Sequence, residues 1–265
     1  MELIILSAFN IIYIKWALIF FLGAICGSFF YTLALRYIDG SFRDNIIKAL
    51  FSTSRCQACK KRILPLYLIP ILGYLFLKGK CKYCGNRISL FYPTFEIVYG
   101  LLLILFVSEF QFNSYSIILF LISGIAISIS IIDVYIYKIP NSLIAVFITA
   151  SIYPIILNNN IKDNLFGFIL MLSFFILALL LFPGSFGGGD IKFASAIGLL
   201  LGLELSIVTI EAALVSGSVI GVIYAIKKRD GLKHKIPFAP FLTLGIITAL
   251  LFGRDIVLIY YNIVY

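Results

Sequence analysis

The sequence predicts an all-α polytopic membrane protein. About eight transmembrane helices are expected, with a small cytoplasmic zinc-ribbon-like insertion between the first two. Three observations carry this fold class. The 265-residue chain is 62% hydrophobic with a mean hydropathy of +1.09, and only 12% of its residues are charged. Its apolar residues gather in runs long enough to cross a bilayer. Four of its five cysteines form two C-x-x-C pairs inside the one sizeable polar stretch.

The first apolar run covers 14–35. It is too long for the apolar part of a secretory signal, and no small-residue cleavage pattern follows, so it is a retained span. Gly23, Gly27 and Ser28 form a small-residue packing face on it, and Cys26 is a packing residue. The insertion follows, from Tyr37 to Tyr92. It carries Cys56, Cys59, Cys81 and Cys84, with 21 residues between the two pairs. This spacing reads as a four-thiolate structural zinc site that staples a loop too small for its own core. Disulfides are the alternative, disfavoured in a reducing cytoplasm. A rubredoxin-type iron would use the same ligands. A closed site has no open coordination position, so no catalysis is expected there. The apolar stretch Leu66 to Leu77 is too short to span and is interrupted by Pro70 and Gly73. It belongs at the membrane surface or under the helices.

The remaining spans fall at 93–110, 115–132, 139–157, 164–182, 191–203, 205–226 and 237–252. Segment 191–203 is short for a crossing. Glu96 lies near the start of the second span, where a helix-capping role is as well founded as a chemical one. Eighteen of the 21 Lys and Arg residues lie in Arg36–Arg87, in Lys227–Lys235, or at Lys138 and Lys192. With eight spans all of these share one side, which the positive-inside rule makes cytoplasmic. Both termini are then external. The net charge of +9 is accounted for by this asymmetry and by anionic lipid. The lipid bilayer is therefore a partner and nucleic acid is not. The domain division is a first helix over 1–36, a cytoplasmic four-cysteine metal-binding insertion over 37–92, and a seven-helix membrane domain over 93–265.

The chemistry narrows to two carboxylates. Asp133 ends one span, and Asp190 follows Gly187-Gly188-Gly189 at the edge of another. An acid at such a place is costly and marks a functional site. Three glycines let a peptide approach it closely, and Lys192 stands beside them. The parity of eight spans puts both aspartates on the cytoplasmic side, so they are read as one site. The single histidine, His234, lies in a basic loop. That leaves no imidazole for a Ser-His-Asp or Cys-His machine, and a H-E-x-x-H metal site is excluded. Two facing carboxylates would share a proton, one activating water and the other polarising a carbonyl. The bland alternative has each aspartate capping a helix or pairing with Lys138 or Lys192. Rival functions are a transporter or proton relay using the two aspartates, and an assembly factor whose zinc ribbon docks a partner.

Several motifs then carry a resemblance. Gly187-Gly188-Gly189-Asp190 matches the G-x-G-D signature of membrane aspartyl proteases. Gly27-Ser28-Phe29 with Arg36, the paired C-x-x-C motifs and Lys78-Gly79-Lys80-Cys81 follow one another in the order of the type IV prepilin peptidase family. So do Ile88-Ser89, Tyr92-Pro93 with Glu96, Asp133 with Ile139-Pro140-Asn141, and Pro237 to Phe241. The chain resembles that family over almost its whole length. The resemblance implies a peptidase of the bacterial cytoplasmic membrane with its active site at the cytoplasmic face. It would cut the basic leader from prepilins or pseudopilins, with Asp133 and Asp190 as catalytic acids. It further implies N-methylation of the new terminus with S-adenosylmethionine, a step associated with the cysteine-bearing insertion. Glu96 is the candidate residue for that cofactor. Phe30-Tyr31 and Tyr67-Leu68 depart from the family pattern in this same region.

Overall fold

The computed structural model describes residues 2–40, 53–227 and 236–264. His234, nearly all of the basic loop around it, and 41–52 of the insertion lie outside the described residues. Among the described residues there are nine α-helices and no strand. They are α1 (Glu2–Ile38), a short α2 (Leu72–Phe76), α3 (Phe91–Phe110), α4 (Ser114–Ile136), α5 (Asn141–Asn158), α6 (Ile161–Leu181), α7 (Gly188–Leu201), α8 (Leu203–Lys227) and α9 (Ala239–Val264). By length and composition seven of these can cross a membrane, all but α2 and α7. The predicted eighth crossing is α7, with only 14 residues. The chain divides into two compact units, Met1–Asn113 and Ser114–Tyr265.

In the first unit α1 packs on α3. A Cβ added at Gly23 would stand 2.5 Å from the Tyr99 carbonyl, and one at Gly27 would stand 2.8 Å from that of Phe95. Both glycines therefore act as close-approach positions between two backbones, as small residues do in bilayers. Phe30 stacks on Tyr99 at 5.6 Å, and Tyr31 on Phe95 at 4.8 Å. The two residues that depart from the family pattern in α1 are thus buried aromatic packing. Among its described residues the insertion forms a 3₁₀ turn at Pro65–Leu68 and α2, with no helix long enough to span.

In the second unit α4 is the central helix, with 78% of its apolar window buried. α6 and α7 form an antiparallel pair. Gly167 of α6 and Gly198 of α7 leave no room for a Cβ between them. At the far end of this pair, the Asp163 carboxylate accepts from the Leu203 N–H at 3.1 Å. Asn164 donates there to the carbonyls of Leu199 and Leu200 at 2.9 and 3.2 Å. The end of α7 is therefore level with the start of α6. At 1.5 Å per residue α6 runs about 31 Å and α7 about 21 Å, so α7 begins about 10 Å short of the end of α6. The 182–187 link turns back into the unit to meet it, and its Phe186 packs on Phe175 of α6 at 5.0 Å. The missing length of the short segment lies in this recess.

Candidate active site and metal centre

Each C-x-x-C pair closes the same turn. Lys60 N–H donates to the Cys56 carbonyl at 2.9 Å, and Gly85 N–H donates to that of Cys81 at 2.9 Å. Both turns place their fifth residue in the left-handed region, Lys60 at φ 57° and Gly85 at φ 70°. Isolated bridges flank them, Arg55 with Arg62 and Lys80 with Arg87. The turns bring all four sulfurs within 4.8 Å of one another. Cys56 to Cys84 is 3.8 Å and Cys59 to Cys81 is 4.0 Å. These distances are far too long for a disulfide. A zinc ion bonded to four thiolates at about 2.3 Å places its sulfurs about 3.8 Å apart, so the cluster fits that ion. Backbone N–H groups of Tyr83 and Cys84 pull the Cys81 thiol down to about 6, while, against a backbone bond from Asn86, desolvation and the neighbouring sulfurs push the Cys84 thiol up to about 11, so the crowded thiols share their charge unequally.

The second unit assembles the aspartates. Asp133, at the end of α4, is 6% exposed. Its Oδ2 accepts from the Ala239 N–H at 3.2 Å, at the start of α9. Pro237 and Pro240 cannot donate, so the donors of that helix start are few, and the carboxylate meets one of them. Asp190 is the third residue of α7, and its Oδ2 accepts from the Gly187 N–H at 2.8 Å. Its Oδ1 is buried and has no hydrogen-bond partner among the described residues. Asp133 is close enough for its charge to act on Asp190. Lys192 turns to Asn141 Oδ1 at 3.2 Å.

The link between α4 and α5 frames the same place. Tyr137 sits at φ 53°, an uncommon conformation for a bulky residue. The chain reverses there, and Ile139 comes against Gly189, where an added Cβ would be 3.0 Å from that of Ile139. Beside Gly188 there is open space, and none of the three glycines from 187 to 189 has a positive φ. Their small size, not their backbone freedom, is what the place uses. Phe175, Phe186 and Phe238 pack edge to face with centroids 4.8 to 5.7 Å apart. Phe186 immediately precedes the glycines, and Phe238 immediately precedes Ala239. Sequence reasoning does not single out this aromatic cluster. The signal available to it is the Pro237-Phe238-Ala239-Pro240 motif. Glu204 and Glu211 accept from Tyr261 and Tyr260 of α9, at 3.1 and 2.8 Å.

Glu96 belongs to the first unit. It is 6% exposed, and its Oε2 accepts from the Ile71 N–H at 2.6 Å. Ser28 of α1 also bonds this carboxylate. The insertion is thereby fastened to the helices at its Pro70-Ile71 turn, where Ile71 has φ 63°.

A helical membrane protein with a four-thiolate cluster in one unit and a buried acid pair at helix ends in the other forms a recognisable class. Two family models match the chain, the bacterial peptidase A24 N-terminal domain over 21–110 and the type IV leader peptidase family over 119–226. One matched range falls in each unit. The chain belongs to the type IV leader peptidase family. It is 29% identical over 246 residues to a prepilin leader peptidase/N-methyltransferase of Bacillus subtilis, covering 92% of this chain and 97% of that protein. It is 28% identical to a protein of the same name from Stutzerimonas stutzeri, over 77% of this chain and 73% of the relative. It is 29% identical to a type 4 prepilin-like proteins leader peptide-processing enzyme of Escherichia coli, over 84% of this chain and 88% of that protein. No solved structure matches the chain.

Proposed function

We propose that this protein is an aspartyl endopeptidase that removes the leader of a prepilin or pseudopilin and then methylates the new N-terminus. Asp133 and Asp190 act as the pair. The observation that carries the reading is the buried, unpartnered Asp190 Oδ1 in the field of Asp133. Each carboxylate spends one oxygen on a helix start, which fixes its orientation. Two carboxyl groups in one low-dielectric place hold a single proton between them. The ionised member takes a proton from water as that water attacks the scissile carbonyl, and the protonated member donates to the carbonyl oxygen. Open space beside Gly188 gives the peptide backbone an approach, and the Phe175, Phe186 and Phe238 rings limit bulk water. Family membership does not favour the transporter reading.

Cys56, Cys59, Cys81 and Cys84 would hold a structural zinc ion that ties the two turns together. S-adenosylmethionine, as methyl donor, supplies an electrophilic methyl group. The basic residues between Arg36 and Arg87 set the cytoplasmic face of the bacterial cytoplasmic membrane as the side where leader and donor are met. The test is incubation of the purified protein with a peptide carrying a basic leader and an apolar helix, followed by mass spectrometry. Cleavage at the leader junction is expected. An intact peptide under conditions where a relative cleaves it would overturn the reading.

A further inference from the structure

We infer that the ring contact between Phe186 and Phe238 sets the separation of Asp133 and Asp190, which makes these two phenylalanines positioning residues of the acid pair. This rests on the proposed peptidase reading and names what holds its pair in place. Each carboxylate takes its orientation from a helix start. The Gly187 N–H, at the start of α7, donates to Asp190 at 2.8 Å. The Ala239 N–H, at the start of α9, donates to Asp133 at 3.2 Å, and the Phe238 backbone bonds the same carboxylate. Pro237 and Pro240 flank these two residues and have no N–H. Every backbone donor of Pro237-Phe238-Ala239-Pro240 is therefore spent on Asp133. Phe238 also starts α9, because its carbonyl accepts from Phe241 and Leu242 at 3.0 and 3.2 Å. Phe186 is the residue just before Gly187. The two rings meet edge to face, with centroids 4.8 Å apart and planes at 75°. They join the backbone that holds one acid to the backbone that holds the other.

The rings are themselves held. Phe175 of α6 is fully buried and touches both, at 5.0 Å to Phe186 and 5.7 Å to Phe238. On α8, a Cβ added at Gly217 would stand 3.7 Å from the Phe238 ring. Aromatic pairs of this kind prefer a defined geometry, and a phenylalanine has only two side-chain torsions. A shift of the ring contact is therefore passed to the backbone on either side of it. Separation matters because two carboxyl groups share one proton only while like-charge repulsion couples them. For charges about 4 Å apart at an effective dielectric of about 20, about 1 Å more removes roughly half a pH unit of coupling. A misplacement of about 1 Å can also cost about 10²-fold in rate.

The test uses the full-length protein with Phe186→Leu and Phe238→Leu, which remove the ring contact and keep apolar bulk. Each should lower kcat for leader cleavage about 10- to 100-fold with KM held within about twofold. The double variant should lose little more than either single, because both remove one contact. Phe186→Tyr keeps the ring at a partly exposed position and should keep most of the rate. In the leucine variants the two limbs of the pH profile should draw together by about half a pH unit. The same narrowing should appear with no substrate, in a pH titration of the carboxylic-acid infrared band assigned by Asp133→Asn and Asp190→Asn. Phe182→Leu replaces a ring on the same link that is 68% exposed, and it should change neither readout. Should Phe238→Leu fail to fold, Phe186→Leu with its tyrosine rescue carries the test. A raised KM at unchanged kcat would make the rings substrate contacts and overturn the inference. Lost rate with unmoved midpoints, or unaltered rate and midpoints in folded variants, would overturn it as well. Narrowed infrared midpoints in a protein that cleaves no leader would leave the positioning role standing and overturn the peptidase reading.

Discussion

The two units build their sites in opposite ways. In the first, two helices with 44% of each apolar window buried carry an insertion that gathers four sulfurs, is fastened by one carboxylate–backbone bond, and borders an open cavity. In the second, Asp133 of a helix with 78% of its window buried accepts from the start of α9, and Asp190 caps the start of its own helix α7. A cavity beside clustered sulfurs suits a ligand that arrives and leaves whole. Helix ends with glycines beside them suit a peptide that lies across them. On the proposed reading, the contrast teaches that one chain can assign a dissociable co-substrate and a macromolecular substrate to different kinds of scaffold.

The sharpest way to break the contrast is to disable each side and watch the other. Asp133→Asn and Asp190→Asn keep side-chain shape and remove the charge. Each should lower leader cleavage on the order of 10³-fold or more, the double variant hardly further, because the pair works as a unit. The wild-type rate should show a bell in pH whose two limbs belong to the pair. Binding of S-adenosylhomocysteine should not move in any of these variants. Equal loss of binding would mean that the two sites are one.

A second effect concerns the metal. Elemental analysis of the purified protein should show about one zinc per chain, and the double variant Cys59→Ser, Cys84→Ser should lose it. Metal binding supplies folding free energy to such loops, so nucleoside binding should go with it. Cleavage should keep most of its rate. Full metal retention in the double variant would remove the cluster from the account.

The smallest expected effect tests the packing at the acid pair. Gly189→Ala puts a methyl group 3.0 Å from Ile139 Cβ. It should cost about 1–3 kcal/mol and slow cleavage in step, with partial recovery when combined with Ile139→Ala. Gly188→Ala, where the added methyl meets nothing within 4 Å, is the matched control for fold stability.

Much of this architecture is legible in the sequence because its causes are local. Apolar runs must become helices in a bilayer, where backbone polar groups have no other partners. Two C-x-x-C pairs at that separation have few uses. The aspartates are legible as acids at the ends of apolar runs; their pairing is an expectation from the parity of eight spans, of which seven described helices are long enough to cross. What cannot be read is the division of labour within each carboxylate. From the sequence, capping and chemistry are alternatives, whereas Asp190 caps α7 with one oxygen and leaves the other unpartnered. Segment 191–203 reads as short, but its recess depends on how Gly167 and Gly198 set the register of α6 against α7, a non-local match. The Phe175, Phe186 and Phe238 cluster is hidden among 25 phenylalanines. Glu96 shows only as an acid near a helix start, because its partner Ile71 is 25 residues away.

On the proposed reading, the offset between the start of α7 and the end of α6 acts as a depth gauge. The far end of α7 is fixed at Asp163, so the length of α7 decides how deep Asp190 lies. One helical residue is about 1.5 Å and one residue of an extended peptide about 3.3 Å. On the proposed reading the cut falls at a fixed distance along the substrate, whatever side chains flank it. Two residues more or fewer in α7 correspond to about one step along the peptide, so selection of the cleavage point is a property of length before it is one of recognition.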